Sequence, residues 1–389
     1  MNKLWAAALL GAVWGVASGA AASAEQSAQK GLLDFTDQER ARIASHGPWP
    51  APAQRDLSNR VEGRPAAVAW GRQLFSDRRL SLDGTVSCAG CHDPKKAFQD
   101  GRSVAQARAD GPAGPRNTPS LLNRQGTRWL GWDGAHDSLW AASRAPLLAA
   151  DEMGHSEASL AQAVRSATSL ERGYRQAFAR PLPASDEQLV VDVAKALAAF
   201  QATLRTPRTP FDAFRDALVR GDQQAAAAYP LAAQRGLRLF IGQARCSVCH
   251  AGAAFTNGEF ADIGIPFFVA GGVDPGRHAG LLKLQGSRWN RLGPYNDAGQ
   301  ADPQAVTTRH VVMEPRHFGE FRVPGLRHLS QTAPYMHNGS LPTVEAVVQH
   351  YSQLDENRLH ADGERILRRL ALSPDEAADL AAFLRSLGP

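Results

Sequence analysis

Long apolar runs and unmixed basic stretches are both scarce in this sequence of 389 residues. Beyond the N-terminal segment, no run approaches the roughly 18 apolar residues that a membrane-spanning helix needs. The mature chain is therefore expected to have no membrane span. The net charge of +5 is modest for this length. Arginines between Arg42 and Arg79 are mixed with acids and prolines, which indicates a solvated basic surface suited to an acidic partner and gives no nucleic-acid-binding footprint.

Strand-like alternation is also scarce, whereas glycine (35) and proline (24) are plentiful. Apolar residues follow helical spacing in Asp186–Leu204 and Phe211–Val219. A good N-cap at Ser373 precedes another apolar helical face that ends near Leu387. These patterns predict a mainly α fold with long ordered loops.

The N-terminus has the three parts of a secretory signal peptide. Lys3 supplies the positive charge, Leu4–Val16 is apolar, and Ala22-Ser23-Ala24 is a cleavage signal before Glu25. We expect export to the periplasm with cleavage after Ala24. An uncleaved membrane anchor is the alternative.

Cysteine is the third scarcity, because the chain has only four. All four lie in two copies of one motif, Cys88-Ala89-Gly90-Cys91-His92 and Cys246-Ser247-Val248-Cys249-His250. C-x-x-C-H is the attachment signature of c-type haem, with thioether bonds from Cys88, Cys91, Cys246 and Cys249. Each adjacent histidine supplies an axial nitrogen to the iron. A zinc site would leave the histidines unexplained, and a thioredoxin-like redox pair would require a βαβ pattern that neither flank has.

The two motifs have similar surroundings. Ala69–Phe75 precedes the first and Gln234–Phe240 precedes the second, each as a short amphipathic helix followed by a polar turn. Such an internal repeat predicts two cytochrome c-like domains, each around one covalent c-type haem. The predicted domains are residues 25–205 and 206–389, after a signal peptide of residues 1–24.

Further segments resemble the bacterial dihaem cytochrome c peroxidases and their MauG-like relatives over nearly the whole mature chain. The matching segments are Arg116–Leu121, Trp132-Asp133-Gly134, Pro146 with Glu152-Met153, Phe321–Arg327 and Thr332–Gly339. Any one of these segments would be a weak signal alone, and together they are specific.

The resemblance implies that the N-terminal haem, on His92, meets peroxide. Glu152 and Pro146 fall at the family's distal positions, where Glu152 would move a proton between the peroxide oxygens. Classical members close this site with a histidine, but the sequence has none between Asp93 and Ala135, which implies a permanently open haem. Ala142 stands where the family commonly has a glutamine, so one hydrogen-bond donor is missing there.

The C-terminal haem, on His250, would handle electrons. The family's distal ligand lies fourteen residues after the histidine of the T-A-P-Y block, which here gives Tyr351, with His350 beside it as the alternative ligand. Met336 and Met313 are further alternatives. A phenolate would stabilise oxidised iron. Trp132 falls where the family has a tryptophan between the haems, able to carry oxidising equivalents from one to the other.

The resemblance also implies a calcium ion between the domains. The matching positions are Asn117, Thr332 and Pro334, which offer one amide side chain and two backbone carbonyls. Oxygen ligands of this type suit a hard cation. Asn117 is alternatively an Asx-turn residue ahead of Pro119.

Two classes of function remain open at this point. The first is an enzyme that reacts with hydrogen peroxide. It would either oxidise a protein substrate, as in the MauG-like branch, or take electrons from a small redox protein, as an ordinary cytochrome c peroxidase does. The second is a dihaem electron-transfer protein without chemistry of its own, which would need both irons to be six-coordinate. The enzyme is the preferred prediction, and the sequence does not settle the oligomeric state.

Overall fold

Helices dominate the regular structure, as the sequence predicts. The computed structural model describes residues 31–389 except 53, 109–110, 270–271 and 364–365, so the predicted signal peptide lies outside the described residues. No helix in this described part is long and apolar enough to cross a membrane. The helices are α1 (Asp37–Ala44), α2 (Pro65–Phe75), α3 (Cys88–Cys91), α4 (Leu139–Leu148), α5 (Glu157–Ser166), α6 (Thr168–Phe178), α7 (Asp186–Gln201), α8 (Pro210–Arg220), α9 (Gln223–Ala227), α10 (Leu231–Ile241), α11 (Arg277–Gly286), α12 (Ala305–His310), α13 (Val344–Ser352) and α14 (Pro374–Arg385).

The strands are short, in agreement with the scarcity of alternating residues. β1 (Phe260–Ala261) pairs antiparallel with β4 (Phe321–Arg322). β2 (Phe268–Val269) pairs antiparallel with β3 (Gly272–Val273). Each of these strands has two residues, so the helices and the loops carry the architecture.

Side-chain caps fix where the predicted helices begin. Ser373 and Glu376 form a capping box at the start of α14. Thr209 and Asp212 do the same for α8, and the Ser185 side chain accepts a hydrogen bond from the third residue of α7. Such caps satisfy backbone N–H groups that the first helical turn leaves unpaired. The helices predicted in these three places are therefore confirmed.

A glycine in each helix that precedes a cysteine motif lets that helix cross a later one at close range. A Cβ atom on Gly71 of α2 would lie 2.0 Å from the carbonyl oxygen of Ala196 in α7. A Cβ atom on Gly236 of α10 would lie 1.9 Å from the carbonyl oxygen of Asp379 in α14. Neither gap has room for a methyl group. Both glycines occupy the third position of the sequence repeat, so the same crossing is built twice.

Each crossing lies beside its own hydrophobic core. The first core contains buried residues between Val61 and Phe200, among them Trp70 and Leu74. The second extends to the C-terminus, and there the ring of Phe383 lies 5.0 Å from that of Phe240. Burial of each such large apolar side chain contributes roughly 1.5–3 kcal/mol relative to its exposure.

The first described helix packs on the second core although it precedes the first in sequence. Phe35 and Ile43 are buried in the second core. Arg42 also donates a hydrogen bond to the carbonyl oxygen of Ile241, at 2.9 Å. The domain division at residues 205/206 stays a prediction, and this N-terminal segment crosses it.

Candidate dihaem site

Each C-x-x-C-H motif folds into one tight turn. The backbone N–H of His92 donates to the carbonyl oxygen of Cys88 at 2.8 Å, and that of His250 donates to Cys246 at 2.9 Å. A bond between residues four apart closes one helical turn and brings both residues to the same face. The first cysteine and the histidine of each motif are thereby aligned.

The two histidine rings are held in the same way. Nδ1 of His92 lies 3.0 Å from the carbonyl oxygen of Phe98, and Nδ1 of His250 lies 3.0 Å from that of Phe255. A carbonyl accepts the proton of Nδ1 and leaves Nε2 as the free lone pair, the arrangement typical of a metal-ligating histidine. Burial lowers the pKa of both rings, which favours the neutral, ligating form.

The cysteine environments disfavour the competing uses of these residues. Burial raises the pKa of Cys88 and of Cys246 to about 12, and it also raises the pKa of Cys91. A reactive redox pair needs the opposite shift, toward thiolate. Among the residues that the structure describes, no three His, Cys, Asp or Glu side chains converge as a metal ion would require. The thiols thus fit covalent attachment better than zinc or disulfide chemistry.

A cavity of about 1760 Å³ opens beside the second motif and reaches the contact between the two halves. Typical ligand sites measure roughly 300–1,000 Å³. Its lining includes Cys246, Cys249, His250, Trp132 and Tyr351. The two thiols, the imidazole of His250 and the size of the cavity fit a large covalently attached group such as haem.

Glu152 lies near the first motif. After burial, the charge of Glu152 is among the causes that raise the pKa of the Cys91 and Cys88 thiols. Neighbouring protein atoms desolvate Glu152 and raise its pKa, and Asp151 raises it further. The Glu152 side chain is still accessible. The predicted acid–base residue is thus next to the first haem-attachment site.

The turn that presents Glu152 is anchored on both sides. Met153 is buried, its N–H donates to the carbonyl oxygen of Pro146 at 3.2 Å, and its carbonyl oxygen accepts from the N–H of Leu82 at 2.8 Å. Pro146 lies within α4, near its C-terminal end. The Pro146, Glu152 and Met153 pattern in the sequence therefore corresponds to one fixed turn. Ala142, on the same helix, packs against an apolar cluster with Trp289.

Tyr351 faces the second motif, whereas its neighbour His350 is already engaged. Tyr351 lines the cavity, and burial raises its pKa, followed by the effect of Cys246 and then of Cys249. His350 Nε2 instead lies 2.8 Å from the carbonyl oxygen of Ile263. Of these two neighbouring residues on α13, the tyrosine lines the cavity that contains the haem-attachment cysteines, whereas the histidine bonds to a backbone carbonyl.

The two methionines differ in position. Met336 lines the cavity. Met313 packs against the apolar cluster of Trp129, Leu281 and Leu284. Met313 is thus part of an apolar contact, whereas Met336 is near the site.

Trp132 lies on the wall of the cavity between the halves. Its Nε1 donates to the carbonyl oxygen of Asn117 at 2.8 Å. Its own carbonyl oxygen accepts from the N–H of Arg322 at 2.8 Å. These two bonds tie the indole and its backbone to segments from both halves of the sequence.

The three residues predicted for calcium all line the same cavity. The Asn117 Nδ2 group donates to the carbonyl oxygen of Arg102 at 2.7 Å, so its Oδ1 is the remaining acceptor of that side chain. Thr332 and Pro334 follow one another closely in the loop before α13. The structure therefore brings Asn117, Thr332 and Pro334 to one space.

Comparison with known proteins identifies the family. A family model described as di-haem cytochrome c peroxidase matches residues 65–224. The methylamine utilization protein MauG of Methylorubrum extorquens is 34% identical over 385 residues, which cover 98% of this chain and 93% of that protein. The chain belongs to the MauG-like dihaem cytochrome c peroxidase family.

Other members of this family agree in length and fold. The cytochrome-c peroxidase IdrP1 of Denitromonas iodatirespirans is 31% identical over 347 residues, 87% of this chain and 84% of that protein. The crystal structure of a MauG-like protein associated with microbial copper homeostasis has a TM-score of 0.67 at 26% identity and covers 88% of this chain and 95% of that chain. The resemblance drawn from the sequence motifs is confirmed.

Membership of the dihaem peroxidase family answers the broader questions. The protein is a peroxidase-type oxidoreductase, and its cofactors are two c-type haems. The alternatives of a zinc protein, a thioredoxin-like protein and a non-enzymatic electron carrier are therefore rejected. Hydrogen peroxide and a redox partner or substrate are the reactants that the peroxidase relatives imply.

The sequence did not reveal two residues that are central to the geometry of the dihaem site. Phe98 and Phe255 hold the proximal histidines through backbone carbonyls, and both have positive φ angles of 58° and 54°. Every residue type has a backbone carbonyl, so residue type does not indicate which carbonyl will bind a histidine. Phenylalanine is also not a residue that favours a left-handed backbone conformation. The similar spacing of the two phenylalanines, six and five residues after the histidines, is the one sequence signal that could have indicated them.

Proposed function

We propose that the protein reacts with hydrogen peroxide at the haem held by His92 and shares the oxidising equivalents with the haem held by His250. Trp132 would connect the two haems, and a protein docked at the surface would be the final substrate, as in the MauG-like branch. The observation that carries this proposal is the position of Tyr351 on the wall of the cavity that contains the second pair of cysteines. Export to the periplasm belongs to the proposal and depends on residues 1–24.

Tyr351 would be the distal ligand of the second haem. Burial raises the pKa of Tyr351, and the charges of Cys246 and then Cys249 raise it further. A phenolate can form there only when a positive charge offsets the desolvation, and a metal ion provides such a charge. His350 Nε2 instead donates to the carbonyl oxygen of Ile263 at 2.8 Å. We therefore infer that tyrosine, and not histidine, completes this site.

Glu152 would act beside an open first haem. When bound, that haem supplies the iron at which the O–O bond of peroxide breaks. Glu152 takes the proton from the oxygen nearer the iron and returns it to the departing oxygen, which leaves as water. Desolvation raises the pKa of Glu152, which makes the carboxylate a stronger base for the first transfer.

Trp132 would be the relay between the halves. The indole is fixed by Asn117 and lines the cavity that contains the second haem-attachment residues. The same Asn117 would bind calcium through Oδ1, with backbone oxygens of Thr332 and Pro334. Calcium would in this way hold the segment that positions the tryptophan.

Stoichiometric peroxide tests the proposal with optical spectroscopy. The oxidised protein, without prior reduction, is expected to react and to hold the oxidising equivalents long enough for both haem spectra to change. Tyr351→Phe should alter the spectrum and the potential of the second haem only. His350→Gln is the matched control and should leave the spectrum of both haems unchanged.

Two results would contradict the proposal. Steady turnover with a reduced cytochrome that requires prior reduction would make the protein an ordinary cytochrome c peroxidase. An unchanged second-haem spectrum in Tyr351→Phe, in protein that carries both haems, would remove the tyrosine as ligand.

A further inference from the structure

Most buried arginines of this protein have a carboxylate partner. Arg327 pairs with Asp212 at 2.8 Å, and Arg116 pairs with Asp274 at 2.7 Å. Arg291 likewise contacts two aspartates. A buried cation needs such a partner because removal of a charge from water costs several kcal/mol.

Arg322 departs from this pattern. Its side chain is buried, and the residue has only 3% of its surface exposed. Nε donates to the carbonyl oxygen of Gly131 at 3.2 Å, and Nη1 lies 3.5 Å from that of Val323. Of the described residues, no carboxylate forms an ion pair with it. Desolvation lowers its pKa well below the usual value, and the charge of Arg124 lowers it further.

Arg277 is also buried without an ion pair among the described residues, but its guanidinium lies over the rings of Trp129 and Phe260. Arg124, which is partly buried, resembles Arg322. Nε donates to the carbonyl oxygen of Ser120 at 2.7 Å. None of the described acids pairs with it either, and burial lowers its pKa to about 10. The charge of Arg124 is the second cause, after desolvation, that lowers the pKa of Arg322, and among the residues that the structure describes neither arginine forms an ion pair with an acid.

Both Arg124 and Arg322 line the cavity that contains Cys246, Cys249 and His250. Arg322 directly precedes Val323, and the carbonyl oxygen of Val323 accepts a hydrogen bond from the Thr256 hydroxyl. Thr256 in turn follows Phe255, whose carbonyl oxygen holds the His250 ring.

Arg124 is connected to the first haem site in a similar way. It donates to the carbonyl oxygen of Ser120, and the Ser120 hydroxyl donates to the carbonyl oxygen of Ala97. Ala97 precedes Phe98, whose carbonyl oxygen holds the His92 ring. Each arginine thus belongs to the surroundings of one proximal histidine.

We propose that Arg322 and Arg124 bind haem propionate groups. Haem carries two carboxylates, and a guanidinium matches a carboxylate with two parallel hydrogen bonds. Arg322 binds a propionate of the haem on His250, and Arg124 binds a propionate of the haem on His92. The proposal depends on the two haems of the family and not on the peroxide reaction or on the identity of the distal ligand.

The charge balance has a consequence for electron transfer. A propionate that is paired with a cation contributes little net negative charge at the iron. Loss of the cation leaves the carboxylate uncompensated, which favours ferric over ferrous iron and lowers the midpoint potential. The two arginines would thus set the potentials of the two haems separately.

Redox titration of Arg322→Gln and Arg124→Gln tests this assignment, with covalent haem content measured on the same samples. We expect two haems per chain in both variants. In Arg322→Gln the ferric-to-ferrous ratio of the His250 haem at fixed potential should rise at least tenfold, which is 59 mV for a one-electron couple. Arg124→Gln should produce the corresponding shift at the His92 haem.

Arg128→Gln is the matched control. Arg128 lines the same cavity, but its side chain is 53% exposed and pairs with Glu259, so neither potential should move. Arg322→Lys keeps the positive charge but cannot form two parallel hydrogen bonds to a carboxylate. It should shift the ferric-to-ferrous ratio less than Arg322→Gln. Unchanged ratios in Arg322→Gln and Arg124→Gln with both haems attached would overturn the proposal. If Arg322→Gln fails to retain haem, an unchanged titration in both Arg322→Lys and Arg124→Gln would overturn it equally.

Discussion

The two haem-binding halves use the same construction up to the iron and differ beyond it. Gly71 and Gly236 allow equivalent helix crossings, and His92 and His250 meet a backbone carbonyl at the same distance of 3.0 Å. Apart from the histidines, the first half presents the accessible carboxylate of Glu152 on an anchored turn, whereas the second has Tyr351 on the wall of the cavity that contains its cysteines. Two similar scaffolds can therefore hold one site for chemistry and one for storage of oxidising equivalents.

Loss of haem attachment in one half at a time should have the largest effect. Replacement of Cys88 and Cys91 with alanine should leave one covalent haem and abolish the reaction with peroxide, because the proposal assigns the open site to that half. Replacement of Cys246 and Cys249 should also leave one haem but retain a peroxide reaction at the first site. Intact-protein mass and stopped-flow spectra measure both. Equal loss of peroxide reactivity in the two double variants would contradict the assignment of the peroxide reaction to the first haem alone.

Glu152→Gln should slow the peroxide reaction by about 10²–10⁴-fold, the usual contribution of a positioned acid–base group. The carboxylate must be deprotonated to accept the first proton, so the wild-type rate should rise with pH through the pKa of Glu152. Desolvation and then Asp151 raise that pKa above 4.5. The rise of the rate with pH should therefore occur at a higher pH than the titration of an ordinary glutamate.

Asp151→Asn is the matched control for Glu152. It removes the charge of Asp151 but keeps the Glu152 carboxylate. The rise of the rate with pH should therefore move to lower pH, with little loss of the maximal rate. A Glu152→Gln rate within threefold of wild type would mean that the carboxylate has no part in the reaction.

Trp132→Phe should separate the halves without disturbing either haem. Phenylalanine cannot donate to Asn117 and is much harder to oxidise than indole. The peroxide-induced change at the first haem should persist, whereas the change at the second should become slower in rapid-mixing spectra. Trp129→Phe, at a buried tryptophan on the same cavity wall, should leave both rates intact. Identical kinetics in the two variants would exclude Trp132 as the relay.

The smallest effects concern the shared scaffold. Gly71→Ala and Gly236→Ala should each destabilise the protein by about 1–3 kcal/mol, because the added methyl group meets a backbone carbonyl. Gly286→Ala has open space at the end of α11 and should be neutral. Thermal unfolding measures all three. Unequal losses at the two crossings would show that the scaffolds are less alike than their geometry indicates.

The sequence predicted the parts of this molecule that depend on local pattern. The helices after Ser185, Thr209 and Ser373 could be predicted because caps and apolar spacing act within a few residues. The haem motifs were evident because their chemistry needs fixed residue types at fixed spacing. The family motifs supplied the candidate roles of Glu152 and Tyr351.

Other features depend on contacts that no local pattern encodes. The packing of Phe35 and Ile43 on the second core joins residues far apart in sequence. The lack of an ion pair between Arg322 and any described carboxylate could not be predicted either, because an arginine in a sequence does not reveal whether an acid will lie beside it. The carbonyl of Phe98 acts through the backbone, where residue type gives no information.

Electron paramagnetic resonance of the fully oxidised protein tests the asymmetry of the two haems most directly. An open first haem and a tyrosine-closed second haem predict one high-spin and one low-spin ferric signal of equal intensity, with the low-spin signal changed in Tyr351→Phe. Two low-spin signals, neither of them affected by Tyr351→Phe, would contradict the account.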